Sequence, residues 1–438
     1  MSIEVVTLLL FGSMALLLAL GLPVAFAFGG TAIIFILWLW GPEGLDIISF
    51  HAIDLMSTIV MVAIPLFIFM ACVLERSGLA DALYSTMHLW LGPLRGGLAM
   101  GTVLICTIFA AMSGLSAAGT VTMGLVALPN MLQRAYDKHI AIGCIMAGGA
   151  LGVLIPPSVV MIVYGLIASV SIGKLFIAGV FPGLLLSSLF IIYIGIRCYL
   201  NPKLGPSLPP EERAGWSKRF TSLRTIILPA LLVISVLGSI FLGLATPTEA
   251  ASIGAFGSLV CAAIHHKFNL KLLKESAFAT LKLTCMVQWI VFTAYIFAAV
   301  YQGIGASELI EHLFMSLEVS RWVILAIMMA CFFVLGCFID IFGILFITCP
   351  VFLPVAASLG FDPVWFGVLY VLSVEMAYLT PPVGGNLFFM KALVPKGITM
   401  GDIYRSVTPF VLLQAAGLFL VILFPQIALW LPTLVFKL

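Results

Sequence analysis

Charge is scarce in this sequence. Asp, Glu, Lys and Arg make up 9% of the 438 residues, and hydrophobic residues make up 63%. A soluble domain carries roughly 25% charged residues. The composition therefore excludes a water-soluble globular protein and describes a polytopic integral membrane protein. No GxxxxGK[ST] phosphate loop occurs, so ATP does not drive the chain directly. The nine cysteines stand singly, mostly in apolar runs, without a CxxC pair or a Cys/His cluster; neither a disulfide framework nor a metal-binding cluster is indicated. No paired His/Glu metal motif or nucleophile–base pattern marks an enzyme, and no soluble catalytic domain is present. Basic residues are spread over short loops, which makes no case for nucleic acid. The start of the chain carries Glu4 and no basic stretch, which argues against a cleavable signal peptide.

What is present is one unusual motif, twice. Between His139 and Arg197 the only charged residue is Lys174, yet Pro156-Pro157 falls in the middle of this apolar segment. A Pro-Pro pair removes two backbone donors and clashes with the preceding turn, so the helix breaks at membrane depth. Freed carbonyls there must line a polar cavity or be buried in protein. Leu379-Thr380-Pro381-Pro382-Val383-Gly384-Gly385-Asn386 repeats the break 225 positions later. The same offset pairs Pro129 with Pro354, and Tyr136-Asp137 with Phe361-Asp362. These coincidences argue for an internal duplication. Two broken helices at matching positions in two halves are the pattern of a secondary transporter with its binding site at the repeat interface.

Taken in order, residues 3–40 are two spans divided at Gly21-Leu22-Pro23, because one span needs only ~20 residues. Residues 41–54, with Glu43, Asp46, His51 and Asp54, are expected to be a loop. Residues 55–74 form a third span, and 77–92 an amphipathic arm on the membrane surface. In 97–133, the small and hydroxyl residues of Ala111–Thr120 suit the tip of a re-entrant hairpin, the alternative being one full span packed through small residues. The broken helix 140–171 and a span at 175–197 complete the first half. After the polar linker 198–222 come spans 224–243, 247–265 and 281–303, a hairpin at 321–358, the broken helix 363–393 and a last span at 407–434. The expected fold is all-α, with two repeats, each of five spans including one broken helix plus a re-entrant hairpin.

Orientation follows from Lys and Arg. With the linker cytoplasmic, alternation places 75–95, 134–139, 266–282 and 391–405 on the same side. Together with Arg197 and Arg224, these stretches hold 17 of the 20 basic residues, leaving Lys174, Arg321 and Lys437. Asp137 then lies inside and Asp362 outside, so the halves are inverted and both termini are outside.

Three acids fall at membrane depth, where ionisable residues suggest function. Asp340 sits near the tip of the second hairpin, as either a cation-linked carboxylate or a cap on half-helix amides. Glu249 has capping-box spacing from Thr246, which favours a structural role. Glu375, five residues before Thr380, either supports the unwound segment or faces an interhelical cavity. Each half offers one hairpin tip beside one broken helix, so two Na⁺ sites are expected. The first draws on Ser113, Gly114, Ser116, Gly149 and Pro156, and the second on Asp340, Thr380, Pro381 and Gly384. An anion is expected between them near Ser158, Gly384 and Asn386, facing helix N-termini.

At Ser113-Gly114, Gly148-Gly149, Ile155-Pro-Pro-Ser158, Ala245-Thr-Pro-Thr-Glu249, Asp340 and Leu379-Thr-Pro-Pro-Val-Gly384 with Asn386, the chain resembles the large membrane subunit of tripartite ATP-independent periplasmic (TRAP) transporters, over essentially its whole length. The resemblance implies a bacterial or archaeal inner-membrane protein performing Na⁺-coupled uptake of an organic acid anion. It implies a periplasmic binding protein and a small four-helix membrane subunit as partners, here unfused because no helical block precedes residue 1. By analogy with elevator carriers, residues 1–96 and 223–303 are the scaffold and 97–197 and 304–438 the moving parts. The organic acid is not legible: sialic acid, C4-dicarboxylates, 2-oxo acids and sulfonates present similar anionic groups. Two other classes stand beside this one. One is an ion-coupled anion carrier needing no binding protein; the other is an intramembrane enzyme or structural subunit.

Overall fold

The computed structural model describes residues 2–316, 319–382 and 384–436, which contain helices and no strand. Val383 of the second break and Lys437 of the basic tally lie outside the described residues. Among the described residues, seven helices are long and apolar enough to cross a membrane, Ile341–Ser358 among them, and seven further apolar helices are shorter.

The first half runs through Ile3–Ala19, Val24–Leu39 and Ala63–Arg76, then the arm Leu79–Leu91. The hairpin Gly97–Ser113/Ser116–Gln133, the broken helix Lys138–Ala150/Val159–Ile167 and the long helix Ile172–Leu200 follow. The second half repeats the order: Arg224–Phe241, Pro247–Ile264, Leu270–Gly303, an arm Ala306–Met315, the hairpin Arg321–Gly336/Ile341–Ser358 and the broken helix Pro363–Tyr378/Gly385–Leu393. Met400–Leu423 and Gln426–Val435 end it. Both expected hairpins are therefore present, and 97–133 is not one span.

Three expectations are corrected, and one element is new. Residues 41–54 are not a loop: Asp46–Ser57 is helical, because its charged residues occupy exposed positions without interrupting the helix. The span expected at 281–303 begins at Leu270, where the Asn269 side chain accepts a hydrogen bond from Leu272 N at 2.8 Å and starts the helix early. The last span, 407–434, is two helices, since Pro425 keeps Phe424 out of the helical region, at φ −123° and ψ 77°. The arm Ala306–Met315 was not anticipated. It follows Gly305 as the first arm follows Gly78, each glycine in the left-handed region at φ +75°.

Asp137 and Asp362 show the duplication at atomic level. Asp137 caps Lys138–Ala150 by accepting from His139 N and Ile140 N, and Asp362 caps Pro363–Tyr378 by accepting from Val364 N and Trp365 N. The two caps lie at opposite ends of Ile172–Leu200. Asp137 N bonds the Leu204 carbonyl just beyond one end, and Asp362 lines a small cavity with Lys174 at the other. A helix of 29 residues is about 43 Å long. The broken helices thus enter from opposite faces. They are also the core: Ile140–Ala150 and Val364–Ala377 are buried on every side, as expected of helices apolar all round.

Candidate functional site

In the first half, the hairpin reverses at Gly114, which holds φ +64°. A Cβ there would collide with the Pro157 carbonyl oxygen, so only glycine lets the hairpin tip rest on the helix break. The returning helix packs its backbone on the broken helix: a Cβ on Gly119 would meet Gly149 Cα at 3.2 Å, and one on Gly149 would strike the Thr120 hydroxyl. Ser113 Oγ donates to the Leu115 carbonyl at 3.5 Å. Ser158 is enclosed; its hydroxyl donates to Val153 O at 2.5 Å and accepts from Met161 N at 3.3 Å, capping Val159–Ile167. Pro156 joins Pro157 through a cis peptide within the break, as Pro381 joins Pro382 in the second.

In the second half, Asp340 caps Ile341–Ser358, accepting from Phe342 N at 3.1 Å. Thr380 Oγ1 donates to Met376 O at 2.8 Å, and Gly384 N donates to Thr380 O at 3.3 Å across the break. The Tyr378 ring lies against Gly385 so closely that a Cβ would collide with it.

The halves meet at Ser116 and Asn386. Asn386 Nδ2 donates to Ser116 Oγ at 2.7 Å, and Ser116 Oγ lies 3.0 Å from Asn386 Oδ1 as donor. Beside this pair is a cavity of about 250 Å³. Ser116 and Asp340, one from each hairpin, both line it, with Tyr378 and Val153 from the two broken helices. Its opposite wall is Ile68, Cys72 and Glu75 of Ala63–Arg76 and Leu283 and Val287 of Leu270–Gly303.

The expected residues thus divide. Ser116, Asp340 and Asn386 gather at the cavity; Gly114 rests on Pro157 and Gly149 on Gly119 and Thr120, while Ser113 bonds within the hairpin tip and Pro156 lies in the break. Ser158 turns its hydroxyl inward, while Thr380, Pro381 and Gly384 shape the second break. Glu249 completes a capping box, receiving Thr246 N at 2.8 Å. Glu375 lines no part of this cavity and pairs with Gln414 instead. Sequence reasoning missed Thr120, Tyr378 and Glu75. Thr120 lay within the noted Ala111–Thr120 run; its buried hydroxyl has no partner. Nothing in the sequence marked Tyr378 or Glu75 as cavity-facing.

Inverted halves that bring hairpin tips and helix breaks to one cavity define a secondary-transporter fold. The same fold is seen in the YdaH transporter of Alcanivorax borkumensis, with a TM-score of 0.66 at 16% identity over 95% of this chain and 98% of that one. It is also seen in MtrF of Neisseria gonorrhoeae, with a TM-score of 0.61 at 15% identity over 89% and 85% of the two chains. Residues 11–427 match the family described as the tripartite ATP-independent periplasmic transporter, DctM component, and the chain belongs to that family. Among its relatives is the C4-dicarboxylate TRAP transporter large permease protein DctM of Pseudomonas aeruginosa, 33% identical over 90% of this chain and 91% of that protein. Another is the ectoine TRAP transporter large permease protein TeaC of Halomonas elongata, 31% identical over 98% and 100% of the two.

Proposed function

We propose that this multi-pass TRAP large permease performs Na⁺-coupled uptake of a small organic acid anion across the bacterial inner membrane. In this proposal the acid arrives on a periplasmic binding protein, and a small four-helix membrane subunit braces the scaffold. The observation that carries it is the placement of the cavity. One wall comes from both hairpin tips and both broken helices, and the other from the first-half and second-half scaffold helices. A site on that boundary is what an elevator movement needs, because sliding one wall past the other carries the site across.

The oxygen chemistry supports Na⁺ as the co-transported ion. Ser113, Ser116 and Thr120 gather hydroxyls beside the first break, and the Thr120 oxygen is buried with both lone pairs free of hydrogen-bond donors. Ser113 donates its proton to the Leu115 carbonyl and Thr380 donates its own to the Met376 carbonyl, which leaves each oxygen able to coordinate a cation. The anion is favoured by the N-terminal ends of Ser116–Gln133 and Gly385–Leu393, which meet at Ser116 and Asn386. Among the described cavity-lining residues there is no Lys, Arg or His. Bound Na⁺ and helix ends, rather than basic side chains, would then balance the substrate's charge. The relatives are named for C4-dicarboxylates and for ectoine, so membership alone does not choose the acid.

The test is uptake into proteoliposomes with binding protein and small subunit present, under imposed Na⁺ or H⁺ gradients. A Na⁺ gradient should drive accumulation. Equal uptake driven by a proton gradient in Na⁺-free buffer would defeat the Na⁺ assignment.

A further inference from the structure

Away from the cavity, Glu375 and Gln414 form a buried polar pair. Glu375 lies in Pro363–Tyr378 and is 0% exposed; Gln414 lies in Met400–Leu423 and is 1% exposed. Gln414 Nε2 donates to Glu375 Oε1 at 3.1 Å. The other two oxygens, Glu375 Oε2 and Gln414 Oε1, are buried without any partner. With the acid ionised, both are acceptors only, and neither can satisfy the other.

No counter-charge rescues an ionised Glu375. The charged residues on the helices packed around it are Arg321, Lys174, Arg197, Asp402, Arg405 and Lys391, all within two turns of a helix end. Among the described residues none forms an ion pair with it. The nearby buried phenols are engaged elsewhere: Tyr370 donates to Ile341 O and Tyr164 to Pro363 O. An ionised carboxylate with one hydrogen bond and no cation is strongly disfavoured in such surroundings. A single proton removes the conflict. Placed on Oε2, it turns one orphan acceptor into a donor that the other can accept.

We infer that Glu375 is a proton-binding site whose carboxyl stays protonated, with the Oε2 hydroxyl donating to Gln414 Oε1 and closing a two-bond acid–amide ring. The proton is taken from water as the helices pack, and no other bond changes. The pair joins the second broken helix to the final long helix without placing a charge in the core. This assignment stands on the geometry of the pair and does not rest on the transport reading. If the domain slides as proposed above, Glu375 crosses uncharged and adds nothing to the charge moved.

Infrared spectroscopy of the full chain in lipid nanodiscs tests the assignment directly. A protonated-carboxyl C=O stretch should persist across the neutral pH range and vanish in Glu375→Gln, while remaining in Asp340→Asn. A carboxamide at 375 can both donate to and accept from Gln414. Glu375→Gln should therefore fold as the parent does and retain uptake within about twofold, whereas Glu375→Ala should lower the yield of folded protein about tenfold or more. The inference is overturned if the Glu375→Gln chain shows the same band as the parent, or if the band titrates away near neutral pH. It is equally overturned if Glu375→Gln fails to fold while Glu375→Met folds, or if Glu375→Gln folds and loses uptake. Because the infrared result needs no substrate, its outcome is independent of whether the Na⁺-coupled reading survives.

Discussion

Asn386 Nδ2 stands 2.7 Å from Ser116 Oγ, joining two residues that lie 270 positions apart. One begins the returning helix of the first hairpin; the other lies in the first turn beyond the second break. Their bond ties the two halves at the cavity. Ser116→Ala and Asn386→Ala should each weaken uptake and lower stability by roughly 0.5–1.5 kcal/mol. The double variant should be little worse than either single one, because the pair is lost once. Thermal unfolding of the detergent-solubilised chain measures the cycle. Fully additive losses would mean that the bond couples nothing.

Thr120 offers a separation of stability from function. Its hydroxyl is buried without a partner, so Thr120→Val, which keeps the shape, should leave stability unchanged or raise it by about 1 kcal/mol. If that oxygen serves Na⁺, the same variant should raise the Na⁺ concentration needed for half-maximal uptake. A more stable chain with unaltered Na⁺ dependence would remove Thr120 from the ion site.

The glycine at the first hairpin tip makes a sharper claim. Gly114→Ala adds a Cβ against the Pro157 carbonyl at a left-handed φ. It should cost roughly 1–3 kcal/mol and reduce uptake. Gly215→Ala in the linker meets open space at φ −66° and should stay within about 0.5 kcal/mol of the parent. Comparable losses at both positions would show that the tip-on-break contact has no special role.

These features were not equally legible in the sequence. The breaks, the hairpins and the 225-residue offset could be found because proline, glycine and charge act locally and leave a pattern along the chain. Asp137 and Asp362 were visible as a repeated pair, although their capping role needed coordinates. Helix ends were less legible. Charged residues in 41–54 and 266–282 suggested loops, yet Asp46–Ser57 and Leu270–Gly303 continue helically with those charges on exposed positions. The partners of Asn386 and Glu375 were hidden for a different reason. Each bond joins separate helices, and nothing local to either residue names the other.

The inverted arrangement predicts an accessibility pattern. Gln133 and Ser358 occupy corresponding ends of the two hairpins, 225 positions apart, and both are exposed. In a chain with the accessible Cys285 and Cys331 replaced, Gln133→Cys should react with a membrane-impermeant maleimide only after the cells are opened. Ser358→Cys should react from outside. Labelling of both from one side would contradict the inverted halves.

Asp340 gives the most direct test of how the cavity handles charge. Its carboxylate accepts from Phe342 N at 3.1 Å as the cap of the second hairpin's returning helix, and it also lines the cavity with Ser116. Asn is as good a helix cap as Asp, so Asp340→Asn preserves the acceptor and removes only the charge. If Asp340 is merely a cap, the variant should unfold at the same temperature and transport normally. If its charge helps hold Na⁺, stability should again be retained, but uptake should fall about tenfold or more, as expected when a charge-assisted contact is lost. The Na⁺ concentration for half-maximal uptake should rise as well. Ser113→Ala and Thr380→Ala remove neutral oxygens whose protons already point to carbonyls, so their effects on Na⁺ dependence should be smaller and in the same direction. We expect the charge to matter, because the described lining of the cavity holds Glu75 and Asp340 but no cation. An organic anion can share that space with Asp340 only when a cation stands between them. Normal Na⁺-dependent uptake by Asp340→Asn would reduce Asp340 to its capping role and move the second ion site to the carbonyls around Thr380 and Pro381.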